Sequence, residues 1–209
     1  MRFSEKKIDA LRTGIREGMS EYRFIHTSEV EKMAVRLGEL YAPDKLDILR
    51  AAALLHDITK ERTTDEHEEL LKRAGESISE LERLSYKTLH ARSAVAEIKE
   101  KYPEFADSEL LLAVRYHTTG RADMTLCEKL IYLADYIDDS RKFEDCVRLR
   151  DYFWGACPEK MNNCEREEHL ERTLLLSFDM TLGALLEDAS PISEDTVSAR
   201  NAIILKLKK

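Results

Sequence analysis

Ala51-Ala52-Ala53-Leu54-Leu55-His56-Asp57-Ile58-Thr59-Lys60 decides how the rest of the chain is read. It is an alanine-rich, apolar helical segment that ends in an adjacent histidine and aspartate. A lysine follows three residues after the aspartate. A core helix does not place a lone carboxylate there without a partner, because burying an unpaired charge costs several kcal/mol. A metal ion removes that cost, and imidazole and carboxylate are its common ligands. Neighbouring helical residues point about 100° apart, so His56 and Asp57 reach one ion only if other elements complete the shell.

The surrounding sequence supplies such elements. The spacing predicts helices over about Glu5–Glu17 and Ser20–Tyr41. In the second, His26, Val30, Met33, Leu37 and Leu40 form one inward stripe. Pro43 stops it, and Asp44 is placed to cap the helix that carries the opening stretch. Thr63-Thr64-Asp65 starts a further helix ending near Gly75, and a short one follows from Ser77. His90, Ala94, Ile98 and Tyr102 share one side of a helix over about 87–102. Asp107 or Ser108 caps the next, whose stripe is Leu110, Val114 and His117 and which Thr118-Thr119-Gly120 terminates. A very apolar helix over about 125–138 surrounds Asp135. Phe153-Trp154-Gly155-Ala156-Cys157-Pro158 reads as a break, followed by a long helix over about 165–186 and a closing one over about 195–206. No period-2 strand, repeat or low-complexity tract is evident. The expectation is an all-α protein of roughly eight to ten helices in a single domain over 1–209, with a core of about 20–142 and C-terminal helices over about 143–209.

Composition narrows the function. The 209 residues are 43% hydrophobic and 35% charged, with a net charge of −8. That balance argues against nucleic acid as a partner, and it means that any phosphate site must carry its own local cations. No apolar run approaches a membrane span, and the N-terminus lacks the features of a signal peptide. Cys127, Cys146, Cys157 and Cys164 make no CxxC or zinc-like pattern and read as thiols of a cytoplasmic protein. There is no HExxH and no PCxxC, which speaks against a zinc protease or deaminase. Of the six histidines, His67 and His169 lie in acidic runs and are expected on the surface. His26, His90 and His117 lie on inward stripes, and Asp135 has no local partner.

His26, then His56-Asp57, then Asp135 resemble the H…HD…D signature of the HD-domain metal-dependent phosphohydrolases. His90 and His117 fall where dinuclear members place two more histidines. The blocks His56-Asp57-Ile58-Thr59-Lys60, His117-Thr118-Thr119-Gly120, Ala134-Asp135-Tyr136-Ile137 with the later Arg141, and Thr196-Val197-Ser198-Ala199-Arg200-Asn201 are similar to the YqeK subfamily. Those are bacterial hydrolases that cut diadenosine tetraphosphate symmetrically into two ADP. One departure is that this chain has Asp138-Asp139 where the family more often has Glu-Pro.

The resemblance implies an HD-domain helical bundle and a divalent metal cofactor of one or two ions. His26, His56, Asp57 and Asp135 would hold one ion, and His90 and His117 the second, with Asp57 bridging. It implies iron; manganese, cobalt and nickel suit the same mixed ligands. It implies attack of metal-activated hydroxide on a small-molecule nucleotide substrate. Lys60 would neutralise phosphate charge, Thr118, Thr119 and Gly120 would offer donors, and Arg141 would grip a distal phosphate. Homodimer formation is left open. The alternative substrates for the same centre are nucleoside monophosphates or cyclic dinucleotides; an alternative of another class is a helical sensor module holding a structural metal.

Overall fold

The computed structural model describes residues 2–208. The described residues form eleven α-helices and no β-strand: α1 Glu5–Arg16, α2 Glu21–Tyr41, α3 Leu46–Leu55, α4 Thr64–Arg73, α5 Glu80–Leu84, α6 Leu89–Lys101, α7 Ser108–Tyr116, α8 Leu126–Ile137, α9 Glu144–Gly155, α10 Asn163–Glu187 and α11 Glu194–Leu207. Short 3₁₀ turns at Pro43–Lys45, Tyr86–Thr88, Pro103–Phe105 and Pro158–Lys160 join some of them. The all-α expectation holds, with helix ends mostly within two residues of those read from the sequence.

The helix starts follow local chemistry. Thr63, Ser79, Thr125 and Asn162 each close a reciprocal capping box with the glutamate three residues on. Asp107 caps α7 by accepting from the amides of Glu109 and Leu110. Asp44 does not cap α3. It sits inside the 3₁₀ turn Pro43–Lys45, which winds straight into α3 and leaves no extended residue to act as cap. The eleventh helix, α9, is the one the sequence pattern did not show. It runs through Phe153 and Trp154, so the break falls after Gly155, where Cys157 takes a left-handed φ of 54°. Cys146, Leu149 and Phe153, spaced by three and four residues, are its buried face.

The α3 run Ala51–Leu55 is wholly buried. It packs against α2, α7 and α8. Gly38 of α2 makes the α2–α3 approach close: a Cβ there would lie 2.7 Å from the side chains of Leu46 and Leu49. That approach brings the end of α3, with His56 and Asp57, beside His26 on α2. One apolar cluster extends from Phe3 and Ile8 through Leu54, Leu130 and Phe153 to Phe178 and Ile203. Each large side chain in it contributes about 1.5–3 kcal/mol of burial free energy.

Two histidines expected on the surface are buried. His169 is 8% exposed, stacks on Phe153 and shares a hydrogen bond with the Phe153 carbonyl at 3.0 Å. His67 is 4% exposed and faces α6 together with Leu70 and Leu71. The glutamates around each histidine occupy the other faces of its helix, so an acidic neighbourhood in sequence is not an exposed position in space.

Candidate metal centre

Helix α3 ends at Leu55, and residues 56–62 leave it in consecutive turns, with Lys60 N–H on the Asp57 carbonyl at 3.0 Å. Lys60 therefore lies beyond a turn from Asp57 and not along a continuing helix. His26 comes from the first third of α2, His90 from the start of α6, His117 from the residue after α7, and Asp135 from the last turn of α8. All six expected ligands meet in one place, and the fold supplies each from a different element except the His56-Asp57 pair.

Asp57 is the centre. Its Oδ2 lies 3.7 Å from His26 Nε2 and 3.5 Å from His56 Nε2. Its Oδ1 lies 3.1 Å from His90 Nε2 and 3.6 Å from His117 Nε2. The two carboxylate oxygens thus face two separate groups of donors. Asp135 Oδ1 joins the first group, 3.0 Å from His26 Nε2 and 3.7 Å from His56 Nε2. Asp57 is 3% exposed and the imidazoles of His56, His90 and His117 at most 2%.

The outer ring nitrogens show how the donors are aimed. Nδ1 of His56, His90 and His117 lies 2.6, 2.8 and 2.7 Å from the carbonyls of Ala53, Lys87 and Val114, each three residues earlier. A carbonyl only accepts, so each Nδ1 carries the proton and each Nε2 presents a lone pair inward. His90 Nε2 and His117 Nε2 are 3.0 Å apart. With both lone pairs facing each other, that contact is not a hydrogen bond, and a cation shared between them would relieve it. Two nitrogens about 2.1 Å from one ion at right angles are separated by about 3.0 Å. His56 Nε2 and Asp57 Oδ1 are buried with no hydrogen-bond partner. Orphaned inward donors of imidazole and carboxylate type fit a divalent metal.

His26 is held differently. Its Nδ1 faces Asp138 Oδ2 and Ser140 Oγ, both at 3.4 Å. Asp138 is fully buried and accepts from the Ser140 amide at 2.8 Å and from the Ser140 hydroxyl. Sequence reasoning missed its role. The signal was its place one helical turn beyond Asp135, at the position where this chain departs from the family pattern. Burial pushes the His26 imidazole down, but hydrogen bonds to Asp135 and Asp138 outweigh it and hold its pKa up at about 9. Burial pushes His90 down to about 3 despite its contact with Asp57.

Three cations ring the centre. Arg23 donates to Asp57 Oδ2 at 2.6 Å, and its Nε is buried without a partner. Arg141 donates to the carboxylate and carbonyl of Asp135 and lies 3.3 Å from Asp138 Oδ2. Lys60 Nζ lies 3.2 Å from both His90 ring nitrogens, and burial lowers its pKa. These groups and Asp135 keep partial exposure, so they form the solvent-facing mouth. Thr118, Thr119 and Gly120 follow His117 directly. Thr118 Oγ1 is buried with no partner, whereas the Thr119 hydroxyl is bonded to the Gly120 carbonyl at 3.0 Å. Gly120 has a φ of +63° and is pressed under Phe178 and Ala199, where a Cβ would stand 2.6 and 3.0 Å from their atoms. Its absence of a side chain is first a packing requirement.

The HD domain family matches residues 23–139, and the chain belongs to the HD-domain metal-dependent phosphohydrolases. It is 31% identical over 196 residues to a protein of Halalkalibacterium halodurans named symmetrical bis(5'-nucleosyl)-tetraphosphatase, covering 93% of this chain and 95% of that one. A Bacillus subtilis protein of the same name is 30% identical, over 91% of this chain and 94% of its own. The crystal structure of a Clostridium acetobutylicum protein, described as a predicted HD superfamily hydrolase involved in NAD metabolism, matches with a TM-score of 0.80 at 28% identity over 98% of each chain. No helix among the described residues is long and apolar enough to cross a membrane.

Proposed function

We propose that this chain hydrolyses diadenosine tetraphosphate and related dinucleoside polyphosphates symmetrically. The observation that carries the reading is a single carboxylate, Asp57, facing two donor groups, ringed by three cations on a protein whose net charge is −8. The two relatives named symmetrical tetraphosphatases support the substrate. His26, His56, Asp57 and Asp135 would hold one ion, and Asp57, His90 and His117 a second. Bound divalent ions supply Lewis acidity toward a phosphoryl oxygen and lower the pKa of water. Iron is the identity proposed; manganese, cobalt and nickel suit the same donors.

The chain's own residues do the rest. Three Nδ1–carbonyl bonds and the Asp138 contact fix the imidazoles before substrate arrives, so no reorganisation is needed during reaction. Lys60 neutralises charge that develops on the phosphate oxygens, Arg23 stands beside it at Asp57, and Arg141 grips a phosphate further along the chain. Thr118 offers its unpartnered hydroxyl, while Thr119 and Gly120 shape the adjoining backbone. Water adds to one inner phosphorus, the central anhydride bond breaks, and both halves leave as ADP. The free thiols of Cys127, Cys146, Cys157 and Cys164 accord with a cytoplasmic enzyme.

Product chromatography tests the substrate. ADP as sole product from diadenosine tetraphosphate, with slower turnover of mononucleotides and cyclic dinucleotides, is the expected result. Equal amounts of AMP and ATP, or preference for a mononucleotide, would reject it.

A further inference from the structure

Of the histidines buried around the centre, His67 is left unused by this chemistry. It belongs to α4, yet its ring enters a buried chain of hydrogen bonds that ends between two ligand-bearing segments. His67 Nδ1 lies 2.7 Å from Ser93 Oγ. Ser93 Oγ lies 2.8 Å from Thr59 Oγ1, and Thr59 donates to the His90 carbonyl at 2.9 Å. His67 is 4% exposed, and Ser93 and Thr59 are fully buried.

Counting protons gives the chain a direction. The His90 carbonyl only accepts; Ser93 Oγ also stands 3.2 Å from it, but the closer Thr59 hydroxyl, at 2.9 Å, spends its proton there. The Ser93–Thr59 contact then takes the Ser93 proton, and the His67–Ser93 contact takes a proton from Nδ1. Each hydrogen is used once and the three shortest contacts are satisfied. Burial, aided by Arg62, lowers the His67 pKa, and the Nδ1 proton that this direction uses is present in either charge state.

Thr59 stands between Asp57 and Lys60, and His90 opens α6. We propose that His67 is a positioning residue that acts through Ser93 and Thr59 to lock the turn carrying Asp57 and Lys60 against the first turn of α6. The distances it sets are His90 Nε2 to Asp57 Oδ1 at 3.1 Å and Lys60 Nζ to the His90 nitrogens at 3.2 Å. This rests on the metal centre proposed above and concerns its His90–His117 side, not the His26 side. A residue that only fills space would need no directional chain.

Calorimetric titration of metal-free protein with Mn²⁺ alone tests it, with thermal melts on the same samples. Asn places an amide nitrogen where His carries Nδ1, and Gln places it nearer Nε2. His67→Asn should bind two ions as the wild type does. His67→Gln, His67→Leu and Thr59→Val should keep the first ion and lose about tenfold in affinity for the second. His67→Leu added to Thr59→Val should weaken binding little further, because both break one chain. Equal binding by the Asn and Gln variants, equal loss of both ions in step with melting temperature, or a wild type with no second ion would each overturn the inference. Two ions bound by a wild type that leaves diadenosine tetraphosphate uncut would reject the substrate and leave the role of His67 standing.

Discussion

Binding of a divalent ion to the metal-free protein should release about one proton at pH 7.5, and His26 is its source. In the metal-free protein its Nδ1 faces Asp138 and its Nε2 faces Asp135 at 3.0 Å. Two carboxylates hold the imidazole pKa at about 9, so at pH 7.5 the ring carries this proton in most molecules. An ion at Nε2 must displace it. His90, pushed down to about 3, has no proton to give at that pH. The sign follows: affinity on the His26 side should rise by about tenfold per pH unit as pH climbs toward 9, then level off. The same raised pKa stabilises the metal-free fold below the unfolded histidine value of about 6.5, and this contribution is lost as pH rises through about 9. The assay is metal titration calorimetry in buffers of different ionisation enthalpy, which yields the proton count. Asp138→Asn should lower that count at pH 7.5 and weaken the first ion by about tenfold or more. Zero proton release by the wild type, with metal bound, would refute this account of His26.

Asp57→Ala should abolish turnover while far-ultraviolet circular dichroism stays near wild type; activity within about tenfold of wild type would exclude a shared carboxylate. For Lys60→Ala, kcat should fall on the order of a hundredfold with metal content unchanged, and loss of metal instead would remove its role toward phosphate. Gly120→Ala adds a left-handed alanine, at about 1–2 kcal/mol, to a Cβ 2.6 Å from Phe178, at about 1–3 kcal/mol. The sum should lower the melting temperature by about 5–15 °C, and an unchanged melting curve with lost activity would mark Gly120 as a substrate contact instead.

The fold was legible where periodicity and punctuation agreed. Ala51–Leu55 could be read as buried because it has no polar residue, and Thr63, Asp107 and Thr125 could be read as helix starts from their side-chain oxygens. The six donors were legible because a carboxylate such as Asp135 inside an apolar helix has no cheaper explanation than a cation. What escaped was information carried between elements. His67 and His169 looked exposed because their sequence neighbours are glutamates, yet one face of each helix is covered by α6 or α9. Asp138 reads in sequence only as the end of a helix and a departure from the family pattern, and only the fold brings it against His26 across 112 positions of sequence. The helical spacing of Cys146, Leu149 and Phe153 was present but masked by Gly155 and Pro158 close by. The three-residue spacing from Asp57 would set Lys60 one turn on along a continuing helix; the turns after Leu55 put it over His90 instead.

If two donor groups sharing Asp57 form the centre that drives hydrolysis, metal restored stepwise to chelated, anaerobically handled protein should restore turnover with it. Bound ions per chain and ADP formed from diadenosine tetraphosphate are measured on each sample. The expected result is no turnover without metal and activity that climbs with occupancy to a plateau at two ions per chain. Full turnover in chelated protein, or two bound ions with no cleavage, would contradict it.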